Sequence, residues 1–552
     1  ITMSAITNEA DKIGNSNNNN NNNNNNSNKK RKLNTEDENI DAETTTTTTS
    51  NSPPPPPTTT TATATAAKEK PKDTLEDQNY RYATWKSNAF NMYDLLIHHD
   101  LDWPSLCIAW GALENKESNA QGSSGANGLE FQVNKVENEK EKYQKLQQFY
   151  FSSRTDGYYN LNGCTWDGHP HMLYGAKVEL NEPHTSNNRG TSKFTETKKD
   201  KRIHISKRIV HPGEVNKMRV CRQYNNILAT HSDSHLTYIW DMDKQENQMD
   251  KVNAQPNIPD LTLTGHTDMA EYALAWCKSC PNLLSGGSDN TVIIWSLQDY
   301  LSNGSSSRKL NNTPDKSKGI LGASLDAKYT FNGHTGPVED VKFDPESHTG
   351  TQCCSVGDDR NLFFWDGRKG TSPCDKVVNA HADDINCVVW NPYNRNIVCT
   401  GASDGTIHQY DVRKLSSGAV HEIGKGLEIG NITTMQWLPH SPKHFASADD
   451  DGVLYIWDIT RVGVSTNMDP ISLGSKDLPQ EMIFKHMGHR AGVTDFDCNI
   501  ISPWTFASMS DDGDLGGGTL QLWRVNEWIY DDSAELLNKI GDMIEKNTAK
   551  KK

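Results

Sequence analysis

The sequence predicts an all-β fold, a propeller of seven four-stranded blades with an N-terminal α-helix and a short C-terminal helix. Two observations lead to this prediction. One pattern recurs six times within residues 205–525, and its copies end in alternating runs such as TVIIW, NLFFW and VLYIW, which are typical of strands. Repeats of about 40–45 residues that each supply four strands indicate a propeller, because each repeat buries its apolar face only against its neighbours.

Each copy of the repeat places a hydroxyl residue, an acid position and an aromatic residue at a fixed spacing, and five of the six copies also have a His before them. The acid position follows the hydroxyl by four residues and precedes the aromatic by six, except in the last copy, where GDLGGG is inserted. The sets are His211, Thr230, Ser234 and Trp240; His266, Ser285, Asp289 and Trp295; His334, Ser355, Asp359 and Trp365; His381, Thr400, Asp404 and Tyr410; Ser447, Asp451 and Trp457 without a His; and His489, Ser508, Asp512 and Trp523.

These polar residues are best interpreted as a scaffold rather than as catalytic or metal-binding groups. The acids fall in turns such as SDN and DDR, where a carboxylate caps free backbone amides. A buried His and hydroxyl would complete a hydrogen-bonded chain to the aromatic strand, as the burial of polar groups requires. The layout resembles the WD-repeat family, whose GH and WD ends occur here at Gly265-His266, Gly333-His334, Gly488-His489, Trp365-Asp366 and Trp457-Asp458.

Residues 1–75 are of low complexity and predict a disordered tail, because Asn, Thr and Pro tracts bury too little apolar surface to offset the entropy of ordering. The tail contains one short basic run, Lys29, Lys30, Arg31 and Lys32. Such a run is either a solvated charge cluster or a nuclear import signal, and its place on a flexible tail favours the import signal.

Residues 76–100 predict the N-terminal helix. Trp85, Ala89, Met92 and Leu96 follow helical spacing, while Phe90 begins a second apolar face that is available to a partner. The propeller is expected over 101–530, with its first strand starting at WPSL (103–106) and its seventh blade assigned by elimination to 107–180. Strands from both ends of the chain would close the ring and protect the sheet edges. Residues 531–552 are expected to form a C-terminal helix or tail.

The composition sets limits on the class of partner. The chain has 56 Lys and Arg against 71 Asp and Glu, a net charge of −15, so we expect no direct nucleic-acid binding by the propeller and a preference for basic partners. The 11 cysteines are scattered, and no secretory signal or membrane-spanning apolar run is present. These features predict a soluble intracellular protein with reduced thiols and no membrane partner.

Longer motifs make a more specific resemblance. YATWKSNAFNMYDLL, LDWPSLCIAW, HPGEVN, AHADDINCVVWNP, FKHMGHRAGVTDF and GGGTLQLW together resemble the retinoblastoma-associated histone-binding WD-repeat proteins, with the greatest similarity to the plant FVE branch. The resemblance implies a non-enzymatic, nuclear scaffold that binds core histones. It also implies partners in chromatin-assembly, histone-deacetylase or Polycomb-type complexes, and a role in chromatin organisation and transcriptional repression.

The same resemblance implies two binding sites. The first lies at the channel rim, where acidic and polar side chains would hold the basic tail of a histone or another partner; its residues are Glu214, Asn216, Tyr272, Glu339, Asp384 and Asn386. The second is a groove for a histone helix between the N-terminal helix and the insertion at 458–486. Its residues are Phe90, Met92, Leu95, Asp477, Leu478, Glu481, Ile483, Ile529 and Tyr530.

The remaining motifs predict little. Asp366 with Arg368 and Asp411 with Arg413 resemble the WDxR ends of substrate receptors of cullin-type ubiquitin ligases, which makes an adaptor contact the alternative function; local charge pairing explains them equally well. Cys277 and Cys280 form a single CxxC without the further ligands that a zinc site needs. We predict no metal, no cofactor and no enzymatic activity.

Overall fold

Seven antiparallel blades follow one another along the chain in the computed structural model. The structure describes residues 75–113, 146–156, 158–160, 165–180, 200–248, 254–303, 311, 315, 320, 322–463, 479–512 and 517–530. The predicted seven-bladed propeller is confirmed, and the predicted import signal lies outside the described residues. No helix among the described residues is long and apolar enough to cross a membrane.

The blades each contain four strands, ordered below from the channel outward. Blade 1 has Ile108–Leu113, Leu146–Ser153, Met172–Glu179 and Ile203–Val210; blade 2 has Lys217–Val220, Ile227–His231, Thr237–Asp241 and Leu261–Thr264, with Ser324–Asp326 added in parallel. Blade 3 has Leu274–Trp276, Asn282–Gly286, Thr291–Ser296 and Tyr329–Asn332; blade 4 has Val338–Phe343, Gln352–Gly357, Leu362–Asp366 and Asp375–Val377.

Blade 5 has Ile385–Trp390, Ile397–Ala402, Ile407–Asp411 and His421–Ile423; blade 6 has Ile432–Trp437, His444–Asp449, Leu454–Asp458 and Met482–His486. Blade 7 has Val493–Cys498, Thr505–Asp511 and Gly518–Val525, and its outer strand is Tyr93–Leu101. The described helices are Leu75–Met92, Gln298–Asn303, the 3-10 helix Val412–Ser417 and Glu527–Tyr530, and the hairpin Tyr158–Asn160 with Thr165–Asp167 lies apart from the blades.

The ring is closed, as predicted, by pairing of a strand that precedes blade 1 in the sequence with the last strand of the final blade. Tyr93–Leu101 pairs antiparallel with Gly518–Val525, with Leu96 opposite Trp523. The pairing is reinforced by Arg524, whose Nε lies 2.7 Å from Asp94 Oδ1, and both side chains are largely buried. The outer edge of blade 7 is thereby covered, which removes an exposed template for aggregation.

The predicted helix over 76–100 is wrong at its C-terminal end. The helix ends at Met92, and residues 93–101 form the closing strand, because their backbone pairs along its whole length with the last blade. The segment 103–106 is therefore a connection, and the first strand of blade 1 begins at Ile108. The seventh blade assigned by elimination is confirmed, but its outer strand, Ile203–Val210, lies beyond 180.

The helix is held by the apolar face that its spacing predicts. Trp85, Ala89 and Met92 are buried in one cluster with side chains of blades 6 and 7. Trp85 Nε1 donates to Tyr93 Oη at 2.8 Å, and Tyr93 Oη lies 2.6 Å from His486 Nδ1. The helix is thus joined to the closing strand and to the outer strand of blade 6.

The repeated polar residues form the expected scaffold in most units. Each of the five histidines is hydrogen-bonded through Nε2 to its hydroxyl, in the pairs His211–Thr230 at 2.8 Å, His266–Ser285 at 2.7 Å, His334–Ser355 at 2.7 Å, His381–Thr400 at 2.6 Å and His489–Ser508 at 2.7 Å. The Nε1 of Trp240, Trp365, Trp457 and Trp523 donates to the hydroxyl of the same unit. The side chains of these histidines are buried, so each bond satisfies groups that water cannot reach.

Three units depart from the predicted chain. Trp295 Nε1 donates to Thr264 O and Tyr410 Oη to Ala380 O, so these aromatic residues bond the preceding connection instead of the hydroxyl. In the unit without a His, the buried acid is Asp449 rather than Asp451. Its carboxylate accepts from the backbone N–H groups of Val453 at 2.8 Å and Gly430 at 3.4 Å, and burial raises its pKa to about 6.

We predict that Asp359→Ala destabilises blade 4 by about 1–3 kcal/mol. The Asp359 carboxylate accepts from Thr335 N at 3.0 Å and Asn361 N at 3.1 Å and lies 2.9 Å from Nδ1 of the buried His334, so its loss leaves that ring nitrogen unsatisfied and removes the cap of the turn. Thermal unfolding of the variant measures the effect. Asp375→Ala, which removes an exposed carboxylate from the same blade, is the control and should leave the midpoint unchanged; equal midpoints for the two variants would contradict the scaffold role.

Candidate functional site at the channel mouth and the N-terminal helix

The first strands of the blades surround a central cavity of about 670 Å³. Each blade contributes one side chain from the same position of the repeat, and together these side chains form a ring at the opening of the cavity, which we call the mouth ring. In blade 1 this position lies two residues before the first strand. The ring comprises Leu106, Asn216, Tyr272, Glu339, Asn386, Thr433 and Thr494, and all of these line the cavity. The repeat therefore gives each blade one side chain in the lining of this cavity.

Carboxylates concentrate around this ring. Burial raises the pKa of Glu339 to about 7, and the nearby charges of Asp358, Glu271 and Asp384 act in the same direction. Burial likewise raises the pKa of Tyr272 to about 12, assisted by Glu271 and Glu339. Within the described part of the chain, no Lys or Arg forms an ion pair with Glu339. The opening is therefore suited to a basic side chain that would neutralise this carboxylate.

The cavity lining also includes Lys217, Arg219 and Asp340, whose charges are compensated by ion pairs. Asp495 is fully buried, and its carboxylate lies 3.2 Å from Lys217 Nζ and 3.1 Å from Arg219 Nη1. Although burial alone would raise the pKa of Asp495, the two cations hold it below its ordinary value. Asp340 is paired in the same way with Lys342 at 2.7 Å. A ligand that enters the mouth thus meets neutralised ion pairs as well as the carboxylates around Glu339.

Four of the six residues predicted at the rim line the cavity: Asn216, Tyr272, Glu339 and Asn386. Asn386 is already used by the fold, since its Nδ2 donates to Ser403 Oγ at 3.0 Å and to Ile432 O at 2.9 Å. Glu214 and Asp384 lie outside the cavity lining but within the same acidic field.

Sequence reasoning missed several residues that line the cavity or pair with its lining. Thr433 and Thr494 occupy the repeat position of the predicted rim residues, and Asp340 and Asp495 come directly after that position in their blades. Aligning the first strands of all blades would therefore have found them. Arg154, which pairs with the predicted rim residue Glu214, could not have been found by such an alignment, because it follows a strand of blade 1, where the repeat pattern is weak.

The N-terminal helix presents a second candidate surface. Its buried face packs on the propeller, and its opposite face exposes Tyr80 at 77% and Phe90 at 58%. These residues lie ten positions apart, about 15 Å along a helix. Ile483, Ile529 and Tyr530 are partly buried against the same apolar cluster as the helix. Exposed aromatic residues beside a hydrophobic cluster are typical of a site that docks a partner.

The structure corrects part of the predicted groove. Phe90 is available to a partner, but Met92 is 4% exposed and Leu95 is 2% exposed, so both belong to the core and are not a groove floor. Glu481 is also buried: its Oε1 accepts from Gly424 N at 3.2 Å, so it is not a surface charge for a basic partner. The sequence did not show this, because Gly424 comes from another blade. Asp477 and Leu478 lie outside the described residues.

The other motifs have local explanations. The Arg368 guanidinium donates to both oxygens of Asp366 at 2.9 and 2.7 Å, and Arg413 donates to Asp411 at the same distances. This local pairing does not favour an adaptor contact of a ubiquitin ligase. Cys277 is buried and Cys280 partly exposed. Among the residues that the structure describes, no cluster of three or more His, Cys, Asp or Glu could hold a metal ion.

Comparison with known proteins agrees with this architecture. A family model described as histone-binding protein RBBP4 or component C of the CAF1 complex matches residues 80–180, which include most of the helix, the closing strand and three strands of blade 1. A model of the WD domain, G-beta repeat, matches residues 258–296, 326–366, 372–411 and 427–458. The chain is also 34% identical over 472 residues to WD-40 repeat-containing protein MSI4 of Arabidopsis thaliana, covering 83% of this chain and 84% of that protein.

The protein belongs to this histone-binding WD-repeat family. Members of the family are generally non-enzymatic scaffolds, and histones and chromatin complexes are their typical partners. Among solved structures, a chain of the crystal structure titled Mitotic Checkpoint Complex is similar at a TM-score of 0.39 and 16% identity, covering 64% of this chain and 84% of that chain. That likeness is too loose to support an argument about function.

Proposed function

We propose that the protein is a nuclear, non-enzymatic scaffold that binds core histones within chromatin-assembly, histone-deacetylase or Polycomb-type complexes. In this role it contributes to chromatin organisation and transcriptional repression. Family membership supports the histone partner, and the carboxylates gathered around Glu339 of the mouth ring support a basic ligand. The single observation that carries the proposal is the carboxylate of Glu339, which is partly buried among other acids and has no ion-pair partner in the described chain.

The mouth would take the basic tail of a histone or of another partner protein. A Lys or Arg inserted beside Glu339 would replace repulsion among Glu339, Glu271 and Asp384 with attraction, and Tyr272 offers an exposed aromatic ring next to it. Because the site is electrostatic, its contribution lies mainly in association rate and in discrimination against acidic ligands. It should weaken as salt concentration rises.

The N-terminal helix would take a histone helix in a different manner. Tyr80 and Phe90 provide apolar anchors on one exposed face, and Ile529 and Tyr530 lie beside the cluster that supports the helix. An amphipathic helix docked here would bury these side chains, which is the usual mode of helix recognition by an apolar surface. This surface depends on burial, so its affinity should change less with salt than that of the mouth.

Two variants and two peptides separate these surfaces. Glu339→Lys should weaken binding of a basic histone-tail peptide by at least about tenfold, because it places a cation where the ligand cation binds. Phe90→Asp should weaken binding of a peptide from the first helix of a core histone and leave the tail peptide unaffected. Val420→Asp, an exposed apolar site near the outer strand of blade 5, is the control.

Titration calorimetry of each variant with each peptide measures the outcome. Equal damage to both peptides by both variants would contradict the two-surface model. If the unaltered protein binds neither peptide, the proposed histone role is wrong.

The pH dependence of tail binding provides a separate prediction. Glu339 must be ionised to pair with a basic side chain, and its pKa in the free protein is about 7. Binding of a cation lowers that pKa, so affinity should increase as pH rises from about 6 to about 8. A tail peptide without His should be used. Glu339→Gln should bind more weakly and show a flat profile; a variant that keeps the full pH dependence would exclude Glu339 as the titrating group.

The proposed nuclear location rests on the basic run in the N-terminal tail. Replacing Lys29, Lys30, Arg31 and Lys32 with Ala should reduce the nuclear fraction of a fluorescent fusion protein. Replacement of Lys550, Lys551 and Lys552, a second basic run, is the matched control. If the first variant is as nuclear as the parent protein, import depends on another signal or on a partner.

A further inference from the structure

One arginine already pairs with carboxylates beside the mouth. Arg154 follows the second strand of blade 1, and its backbone N–H donates to Pro104 O at 2.7 Å. Its Nε lies 2.9 Å from Glu214 Oε1, and its Nη1 lies 3.7 Å from Asp511 Oδ2. Glu214 precedes the first strand of blade 2 and Asp511 ends the second strand of blade 7. The side chain therefore connects three blades at the seam of the ring.

Because of this ion pair, the two sides of the mouth differ in charge. On the side of blades 1, 2 and 7, burial raises the pKa of Glu214, but Arg154 acts against that rise. On the side of blades 3, 4 and 5, burial raises the pKa of Glu339, and the neighbouring charges of Asp358, Glu271 and Asp384 raise it further. One half thus contains a cation that is ion-paired with Glu214, while in the other half no described Lys or Arg forms an ion pair with Glu339 or with its neighbours Glu271, Asp358 and Asp384.

We propose that Arg154 is a tethered competitor that holds one cation position of the mouth and sets the specificity of tail binding. The inference rests on the proposed function, since it concerns the same ligand site. A ligand with one basic side chain would bind beside Glu339 without disturbing Arg154. A ligand with a second basic side chain spaced to reach Glu214 would have to displace it.

The geometry makes Arg154 a competitor rather than a permanent block. Its side chain is 48% exposed and that of Glu214 is 25% exposed, and ion pairs in such surroundings are weak because water screens them. Its backbone is fixed by the bond to Pro104, so its guanidinium has a high effective concentration at Glu214. A ligand that delivers a second cation can therefore displace Arg154, but it gains less than it would at an empty site.

The test compares Arg154→Ala with the unaltered protein against two synthetic peptides of one backbone sequence, one carrying a single Arg and the other carrying two. Arg154→Ala should tighten binding of the two-Arg peptide by about fivefold, which corresponds to about 1 kcal/mol, and change the one-Arg peptide by less than about twofold. The salt dependence of two-Arg binding should become steeper, because one more ion pair is formed with the ligand. Arg154→Lys keeps the cation and should behave like the unaltered protein.

Two further variants distinguish this role from a purely structural one. Adding Glu214→Gln to Arg154→Ala should remove the gain, because the released carboxylate is its source. Arg413→Ala removes an exposed, locally paired arginine from blade 5 and should change neither affinity. Equal thermal midpoints would exclude a folding defect in Arg154→Ala.

The outcomes separate the inference from the function on which it rests. If Arg154→Ala weakens two-Arg binding or leaves it unchanged while Glu339→Lys abolishes it, Arg154 is not a competitor and the tail-binding function stands. Binding of the two-Arg peptide by Arg154→Ala alone would support the strongest form of the inference. If neither the unaltered protein nor Arg154→Ala binds either peptide, the proposed tail site and the inference both fail.

Discussion

The pairing of Tyr93–Leu101 with Gly518–Val525 is the constraint on which the rest of the molecule depends. It closes the ring, and a closed ring is what brings the first strands of all blades around one cavity. It also determines where the N-terminal helix lies, because the helix ends at Met92, whose carbonyl accepts from Asn526 N at 2.9 Å. Both candidate surfaces, the mouth and the exposed helix face, therefore depend on the same seam.

Repetition gives the propeller its stability and its mouth for the same physical reason. Most blades contain a buried polar anchor, the His and hydroxyl bond, at the same position of the repeat. The residue at the mouth ring differs between blades, from Tyr272 to Glu339 to Thr494, although some of these side chains also bond a neighbouring blade: Thr494 Oγ1 donates to Ser105 O at 2.8 Å. The residues of the His and hydroxyl bond therefore recur from blade to blade, whereas the residues of the mouth ring differ.

One surface would bind a ligand by charge and the other by burial of apolar side chains, which suits a scaffold that binds several partners. The mouth gathers carboxylates that repel one another until a cation arrives, while the helix face offers aromatic rings that are costly to leave in water. Arg154 and Arg524 show how context changes the use of one residue type. Arg524 is buried and stabilises the closing strand through Asp94, whereas the exposed Arg154 lies over Glu214 and remains displaceable.

The sequence by itself determined the propeller, the scaffold role of the histidines and four of the residues around the cavity, because these follow from a period that is written locally in each repeat. It also identified the buried helix face of Trp85, Ala89 and Met92. Only the tertiary structure decided where that helix ends, that Glu481 is buried against Gly424, and that Arg154 lies across Glu214 and Asp511. These features depend on contacts between blades, and a local period carries no information about which distant residues the closing of the ring brings together.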